Sequence, residues 1–139
     1  MIATAYAPTA ASRTEAPPRR KILLIDDSAT THMWIKMILN KSAFEMVSAK
    51  DGVEGVEKAL AENPDLILMD VVMPRMDGFS ACRHLRTHDS TRGTPIIMVT
   101  TRAEARNVEE GFQSGCSDYI TKPIDGLELM SKVRNFLGE

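Results

Sequence analysis

The stretch Asp65-Leu66-Ile67-Leu68-Met69-Asp70 decides the fold. Residues 66–69 are apolar at every position, whereas a strand with one face in water alternates apolar and polar residues. Such a run is too short for a core helix, and it is typical of a parallel strand that helices cover on both faces. We therefore predict a buried parallel strand that ends at Asp70.

Similar short apolar runs occur before and after this one along the chain. Short apolar runs alternate with longer stretches that have helical spacing of apolar residues. The predicted strands are residues 21–25, 45–49, 65–69, 95–99 and 118–121, and the predicted helices are residues 28–41, 51–62, 77–88, 103–114 and 125–137. Strand and helix alternating five times predict an α/β domain, because right-handed crossovers place helices on both sides of a parallel sheet.

Length and composition exclude several classes of protein. The 139 residues carry a formal net charge of -2, which suits one domain and gives no reason to expect binding to nucleic acid. No stretch approaches the roughly 18 consecutive apolar residues of a membrane span. Residues 1–20 are rich in Ala, Thr and Pro, so we predict a disordered tail before a folded domain at residues 21–139. Cys82 and Cys116 show neither metal-ligand spacing nor a disulfide framework, as expected of a cytoplasmic protein.

Polar side chains follow four of the predicted strands. Asp26 and Asp27 follow the first strand, Asp70 the third, Thr100 the fourth and Lys122 the fifth. Parallel strands bring their carboxyl ends to one edge of the sheet, where ligands bind in open α/β folds. Neighbouring carboxylates repel one another, so a cation such as Mg²⁺ must join Lys122 in offsetting them. The sequence thus predicts a site for Mg²⁺ and a phosphoryl group, with an aspartate as nucleophile.

Four motifs at these strand ends resemble a known family. They are Ile-Asp-Asp-Ser at residues 25–28, Leu-Met-Asp-Val-Val-Met-Pro-Arg-Met-Asp-Gly at 68–78, Val-Thr-Thr at 99–101 and Asp-Tyr-Ile-Thr-Lys-Pro at 118–123. In this order and spacing they resemble the receiver domain of bacterial two-component response regulators, over about residues 21–137. The resemblance implies a flavodoxin-like, doubly wound sheet of five parallel strands in the order 2-1-3-4-5, with five helices.

The resemblance also implies the parts of a phosphorylation site. Asp70 resembles the phosphoacceptor. Asp26 and Asp27 resemble the acidic pair that holds Mg²⁺ together with Asp70, and Val72 resembles the position whose backbone carbonyl completes the metal shell. Lys122 resembles the lysine that pairs first with the acceptor and then with the phosphoryl group.

Two further positions resemble the family's switch. Thr100 is similar to the hydroxyl that moves onto a phosphoryl oxygen, and Tyr119 is similar to the aromatic residue whose rotamer follows it. The Lys122–Pro123 bond resembles one that is cis in the family. Phosphorylation is thereby expected to change the shape of a binding surface.

The implied phosphodonor is a sensor histidine kinase or a histidine phosphotransfer protein. Helical spacing turns Met33 and Met37 of the first helix away from the sheet, with Trp34 at the flank, and such methionines make adaptable binding surface. This helix docks the phosphodonor in similar domains. The output face is expected to consist of the fourth helix, the fifth strand and the fifth helix. Arg102 and Arg106, predicted on the fourth helix, are expected to give this face a basic rim.

The output is expected to be a protein partner. The chain ends soon after the fifth helix, which leaves no room for a DNA-binding effector, so we expect a single-domain response regulator of the chemotaxis or motility type that binds a downstream target. Neither DNA binding nor membrane insertion is expected.

Three alternatives remain open on the sequence. A phosphate sink would have the same site and no output target. An aspartate-nucleophile phosphatase commonly has a second acid two positions after the nucleophile, where this chain has Val72. A flavin-mononucleotide binder needs a phosphate-cradling loop after the first strand, where Asp26 and Asp27 would repel phosphate in the absence of a metal.

Overall fold

The computed structural model describes residues 19–39 and 44–138 and contains, within them, five strands and five helices. The strands are β1 (Arg20–Ile25), β2 (Phe44–Ala49), β3 (Leu66–Met69), β4 (Ile96–Thr100) and β5 (Asp118–Thr121). The helices are α1 (Ala29–Leu39), α2 (Gly52–Glu62), α3 (Gly78–Leu85), α4 (Ala105–Ser114) and α5 (Gly126–Leu137).

All five strands pair in parallel, in the order β2-β1-β3-β4-β5. This is the predicted 2-1-3-4-5 order, so the fold prediction is confirmed. The central strand β3 is buried at every position, as its unbroken apolar run indicates. Ile25 of β1 lies opposite Met69 of β3, and both strands therefore end at the same level.

Helices cover both faces of the sheet and create two apolar cores. Along β1, Leu23 and Ile25 face one core, which α2 and α3 complete, while Ile22 and Leu24 face the other. Helices α1 and α5 complete the second core. The predicted sheet-facing residues of α1 lie there: Ile35 and Leu39 are buried, and Ile38 packs against the cluster.

Capping residues begin the helices where the sequence indicates. The Ser28 side chain accepts a hydrogen bond from the Thr31 backbone N–H, and the Asp51 and Asp125 side chains cap α2 and α5 in the same way. Asn63, in the left-handed region at φ 50°, ends α2 one residue before Pro64. A cap satisfies backbone N–H groups that have no partner within the helix.

Two helix boundaries differ from the prediction. Helix α3 ends at Leu85 and not near His88, because the next residue, Arg86, turns its guanidinium onto the loop that follows. There it donates to the carbonyls of Thr91, Arg92 and Thr94. Helix α4 begins at Ala105 and not at residue 103, since Glu104 has an extended backbone. Arg102 lies in the loop before α4 and not on the helix, so its predicted place on the fourth helix is wrong.

The ends of the predicted domain are only partly described. Most of the predicted tail at residues 1–20 and the expected end of the first helix near Lys41 lie outside the described residues. Arg20 is already part of β1, one residue before the predicted start, and Arg19 donates a hydrogen bond to the Phe44 carbonyl. Among the described helices, none combines the length and apolar character needed to cross a membrane.

Candidate acidic site at the carboxyl edge of the sheet

Three aspartates converge where β1 and β3 end. Asp26, Asp27 and Asp70 each offer a carboxylate oxygen, and these oxygens lie within 4.8 Å of one another. The backbone hydrogen bonds between the strands continue past the strand ends and hold Asp26 and Asp70 in place. The Asp70 N–H donates to the Ile25 carbonyl at 2.9 Å, and the Asp26 N–H donates to the Ala49 carbonyl at 3.0 Å. The strand register therefore fixes where the acidic triad (Asp26, Asp27 and Asp70) forms.

Lys122, just after β5, faces this triad. Its Nζ lies 2.9 Å from Asp26 Oδ2 and 3.3 Å from Asp70 Oδ2. Burial alone would lower the pKa of Lys122, but the hydrogen bond and charge of Asp26, with the charge of Asp70, outweigh burial and raise that pKa. The lysine is therefore held as an ammonium between two carboxylates.

The two buried carboxylates are oriented by the backbone as well as by Lys122. Asp26 Oδ1 accepts the Ser28 N–H at 2.8 Å, and Asp70 Oδ1 accepts the Val71 N–H at 2.7 Å. Burial raises the pKa of Asp26, although the bonds from Ser28 and Lys122 act in the opposite direction. One ammonium and three carboxylates leave an excess of negative charge, and Asp27 is exposed to solvent. An all-oxygen, negatively charged set of ligands with an open side suits a hard cation such as Mg²⁺.

Thr100 and Tyr119 meet at the backbone of Arg102. Thr100 is fully buried, and its Oγ1 accepts the Arg102 N–H at 3.3 Å. The Tyr119 hydroxyl donates to the Arg102 carbonyl at 2.7 Å, and its ring packs on α4 at Gly111, where a Cβ would lie 3.0 Å from Tyr119 Cε2. The ring is thus half-buried, with its hydroxyl at the surface.

The β3–α3 loop, residues 71–77, carries the predicted backbone ligand of the metal. Val72 is 49% exposed at this loop, which closes where the Gly78 N–H donates to the Val71 carbonyl at 2.7 Å. Just after β5, the Lys122–Pro123 peptide bond is cis, as the resemblance implies.

The predicted partner-binding residues lie at the surface. On α1, Met33 is 64%, Trp34 45% and Met37 59% exposed, opposite the buried Ile35 and Leu39. A groove of about 560 Å³ runs from Asp27 between α1 and the start of α2, and Met33 lines it. Arg102 and Arg106 are both exposed, one in the loop and one on α4.

One contact beside the triad is not among those predicted from the sequence. His32 of α1 places its Nε2 2.6 Å from the carbonyl oxygen of Asp26, so the ring N–H donates to the backbone just past the end of β1. The position of His32 in the first turns of α1, six residues after Asp26, could have indicated it. Side chains on a helix point towards its N-terminus, so such a residue can reach back to the end of the preceding strand.

Comparison with known proteins identifies a family that this chain matches. Residues 22–134 match the model of the response regulator receiver domain. RpaA of Synechocystis, a DNA-binding dual master transcriptional regulator, is 35% identical over 117 residues, which are 84% of this chain and 48% of RpaA. The chain spans about half the length of the curated relatives it matches.

Solved structures agree with the fold over nearly the whole described chain. The receiver domain of the sensor histidine kinase PA1611 from Pseudomonas aeruginosa, which has a magnesium ion in its active-site cleft, superposes with a TM-score of 0.81 at 31% identity. That match covers 88% of this chain and all of the other. The chemotaxis response regulator CheY4 of Vibrio cholerae gives a TM-score of 0.80 at 29% identity over 86% of this chain and 99% of its own.

Proposed function

Since this chain belongs to the response regulator receiver family, we propose that it is a cytoplasmic phosphorylation switch in which Asp70 accepts the phosphoryl group. The observation that supports this assignment best is the pairing of Lys122 Nζ with both Asp26 and Asp70 beside the exposed Asp27. Asp70 is the member of the triad at the end of the central strand β3, with Lys122 already in contact with its Oδ2.

The proposed chemistry needs few protein groups. An Asp70 carboxylate oxygen attacks the phosphorus of a phosphohistidine, the P–N bond breaks, and its electron pair stays with the donor's imidazole. Asp26, Asp27 and Asp70, with the Val72 carbonyl, would hold Mg²⁺, which when bound neutralises negative charge on the transferring phosphoryl group. Lys122, whose Nζ already lies 3.3 Å from Asp70 Oδ2, would stabilise charge on the same phosphoryl oxygens.

The wild-type chain should take up a phosphoryl group from acetyl phosphate in the presence of Mg²⁺, because a receiver positions the acceptor itself. EDTA should abolish labelling, since three carboxylates facing one ammonium would repel an anionic donor. Intact-protein mass spectrometry measures both results. Full labelling in EDTA would contradict the proposed role of the metal.

We propose that the exposed ridge of α1, formed by Met33, Trp34 and Met37, docks the histidine kinase or histidine phosphotransfer protein. The groove beside Met33 leads to Asp27, so a partner seated there would lie next to the triad. Exposed methionines and a tryptophan also suit a protein interface.

Replacing both methionines, Met33→Glu with Met37→Glu, should slow phosphotransfer from the cognate kinase about tenfold or more, because the new charges would be desolvated at the interface. Labelling by acetyl phosphate should not change. Rapid-quench kinetics with both donors measures this difference. An equal loss with both donors would mean that the fold and not the docking ridge was damaged.

We propose that output passes through Thr100 and Tyr119 to the surface around α4. Movement of the Thr100 hydroxyl towards the phosphoryl group would give up its bond with the Arg102 N–H and free the Tyr119 ring to turn inward. The phosphoryl group shifts this equilibrium only by interacting better with one state than with the other. Arg102 and Arg106 then mark the face that a downstream target binds.

For this output face, Arg102→Glu with Arg106→Glu should weaken binding of the target without changing labelling of Asp70. Thr100→Ala should leave Asp70 able to accept the phosphoryl group but should shrink the difference in target affinity between the two states. Isothermal titration of the target with unphosphorylated and phosphorylated chain measures both effects. A target that binds both states of the wild type equally would contradict this account.

We propose protein binding of the chemotaxis or motility type as the output, acting as a single-domain response regulator. The match to CheY4, which covers 99% of that chain, supports this choice, whereas RpaA, a DNA-binding regulator, is matched over only 48% of its length. A pull-down with and without a phosphoryl mimic tests it: a target retained only with the mimic is expected. Rapid phosphorylation with no retained target would favour the phosphate-sink alternative.

A further inference from the structure

The β3–α3 loop rests directly on the start of α2. A Cβ on Gly52, the first residue of α2, would lie 2.1 Å from the Met76 carbonyl oxygen, so the two backbones approach more closely than any side chain would allow. This contact joins the loop that follows Asp70 to the start of the helix that follows β2. The position of the loop therefore depends on how it is held against α2.

The loop makes a tight turn at Arg75. The backbone φ of Arg75 is 69°, and the Met76 N–H donates to the Pro74 carbonyl at 2.8 Å across it. Residues other than glycine rarely adopt positive φ, and a turn of this kind is strained. A strained residue persists where its surroundings hold it, and such residues concentrate near functional sites.

The side chain of Arg75 is held by Asp51. Arg75 Nε lies 3.1 Å from Asp51 Oδ2 and Nη2 lies 3.2 Å from Oδ1, which is a two-pronged pair. Asp51 Oδ1 also accepts the Glu54 N–H at 2.8 Å as the cap of α2. The hydrogen bond from the Glu54 N–H, and after it those from Arg75, favour the ionised carboxylate. The pKa of Asp51 therefore lies below its usual value.

We propose that Arg75 and Asp51 are positioning residues that hold the β3–α3 loop, and with it the Val72 carbonyl, in place for Mg²⁺. The inference rests on the proposed function, since it takes Val72 as a metal ligand. Neither side chain belongs to the triad. The pair acts by fixing a loop whose strained turn lies three residues after Val72.

Stability and metal affinity should respond differently to loss of this pair. The Arg75 side chain is 58% exposed, and exposed ion pairs contribute little to the stability of a fold. Mg²⁺ instead demands near-ideal octahedral geometry, so a small displacement of one carbonyl ligand weakens its binding. Residues that orient metal ligands typically change metal affinity about 10- to 100-fold when they are replaced.

The test is a titration of the whole unphosphorylated chain with Mg²⁺ by calorimetry. Asp51→Asn keeps a good helix cap but removes the charge, and Arg75→Ala removes the guanidinium. Each should raise the Kd for Mg²⁺ about tenfold, with the melting temperature in EDTA nearly unchanged. The double variant should be no worse than either single one, because both changes break the same contact. Arg75→Lys, which keeps the charge without the fork, should recover part of the loss.

Two variants serve as controls. Arg92→Ala removes another exposed ion pair, in which Arg92 Nη2 lies 2.9 Å from Asp89 Oδ1 in the loop after α3. This variant should leave the Kd for Mg²⁺ unchanged. Arg75→Gly relieves the strained turn while removing the ion pair, and it should lose affinity as Arg75→Ala does. Wild-type affinity in Arg75→Gly would overturn the proposal, because the turn alone would then position the loop.

The remaining outcomes separate this inference from the proposed function. If the wild type binds no Mg²⁺, the proposed function itself fails. If the wild type binds Mg²⁺ and the Asp51 and Arg75 variants bind it equally well, only the positioning role is refuted. A loss of affinity matched by a large drop in melting temperature would also refute it, since the pair would then be a structural contact.

Discussion

Asp70→Asn should take up no phosphoryl group from acetyl phosphate and Mg²⁺ under conditions that label the wild-type chain fully. An amide has no carboxylate oxygen with which to form the acyl phosphate, and Asp70 is the acceptor that we propose. The fold should survive the change, because removing one of three neighbouring carboxylates relieves repulsion in the absence of a metal. Mass spectrometry of the intact chain and of its peptides measures the label.

The matched control for this variant is Asp89→Asn, an exposed aspartate whose carboxylate pairs only with Arg92 among the described residues. It should be labelled as fully as the wild type. Stoichiometric, acid-stable label in Asp70→Asn would place the phosphoryl group elsewhere and remove the basis for the proposed switch. Loss of label in both variants would point to general damage and not to the acceptor.

Gly78→Ala should destabilise the chain by about 3 kcal/mol, at the upper end of the cost of overpacking. A Cβ at residue 78 would lie 2.2 Å from the Asp70 carbonyl oxygen and 2.9 Å from the Val71 Cα. Both neighbours are backbone atoms that cannot rotate away, so β3 or α3 must move. Chemical denaturation in EDTA measures the free energy of unfolding, and Mg²⁺ affinity should fall with it because Asp70 is displaced.

The control for the glycine change is Gly93→Ala, where a Cβ would meet nothing within 4 Å. Its effect should stay within about 0.5 kcal/mol, as for most surface substitutions. Helix propensity alone would make Gly78→Ala stabilising by up to about 1 kcal/mol, so the sign of the change decides between propensity and the clash. A stabilised Gly78→Ala variant would show that the two backbones are not held as closely as described.

The fold could be predicted from local signals that agree with one another. Unbroken apolar runs identified the central strands. Asp51 and Asp125 marked the starts of helices because their side chains accept hydrogen bonds from free backbone N–H groups, and Asn63, which adopts a left-handed backbone, marked the end of α2. The acidic triad followed from topology, since the ends of parallel strands β1 and β3 must meet. These features depend on residues close together in the sequence, or on a sheet whose order is strongly constrained.

Features that depend on contacts between distant segments could not be predicted. The end of α3 is set by the carbonyls that Arg86 reaches in the following loop and at Gly115, 29 residues away. The start of α4 depends on how residues 101–104 follow the end of β4, which no periodicity reveals. The pairing of Arg75 with Asp51 joins two segments 24 residues apart; in the sequence Asp51 indicates only a helix cap and Arg75 looks like an ordinary surface charge.

The contacts of Thr100 and Tyr119 have a consequence for how such proteins diversify. Both reach residue 102 through its main chain, one at the N–H and one at the carbonyl. Every amino acid except proline presents the same two groups. In the switch that we propose, the side chain at this position can therefore change to suit a new target while both main-chain contacts stay in place, so partner choice and phosphate sensing can evolve separately at a single residue.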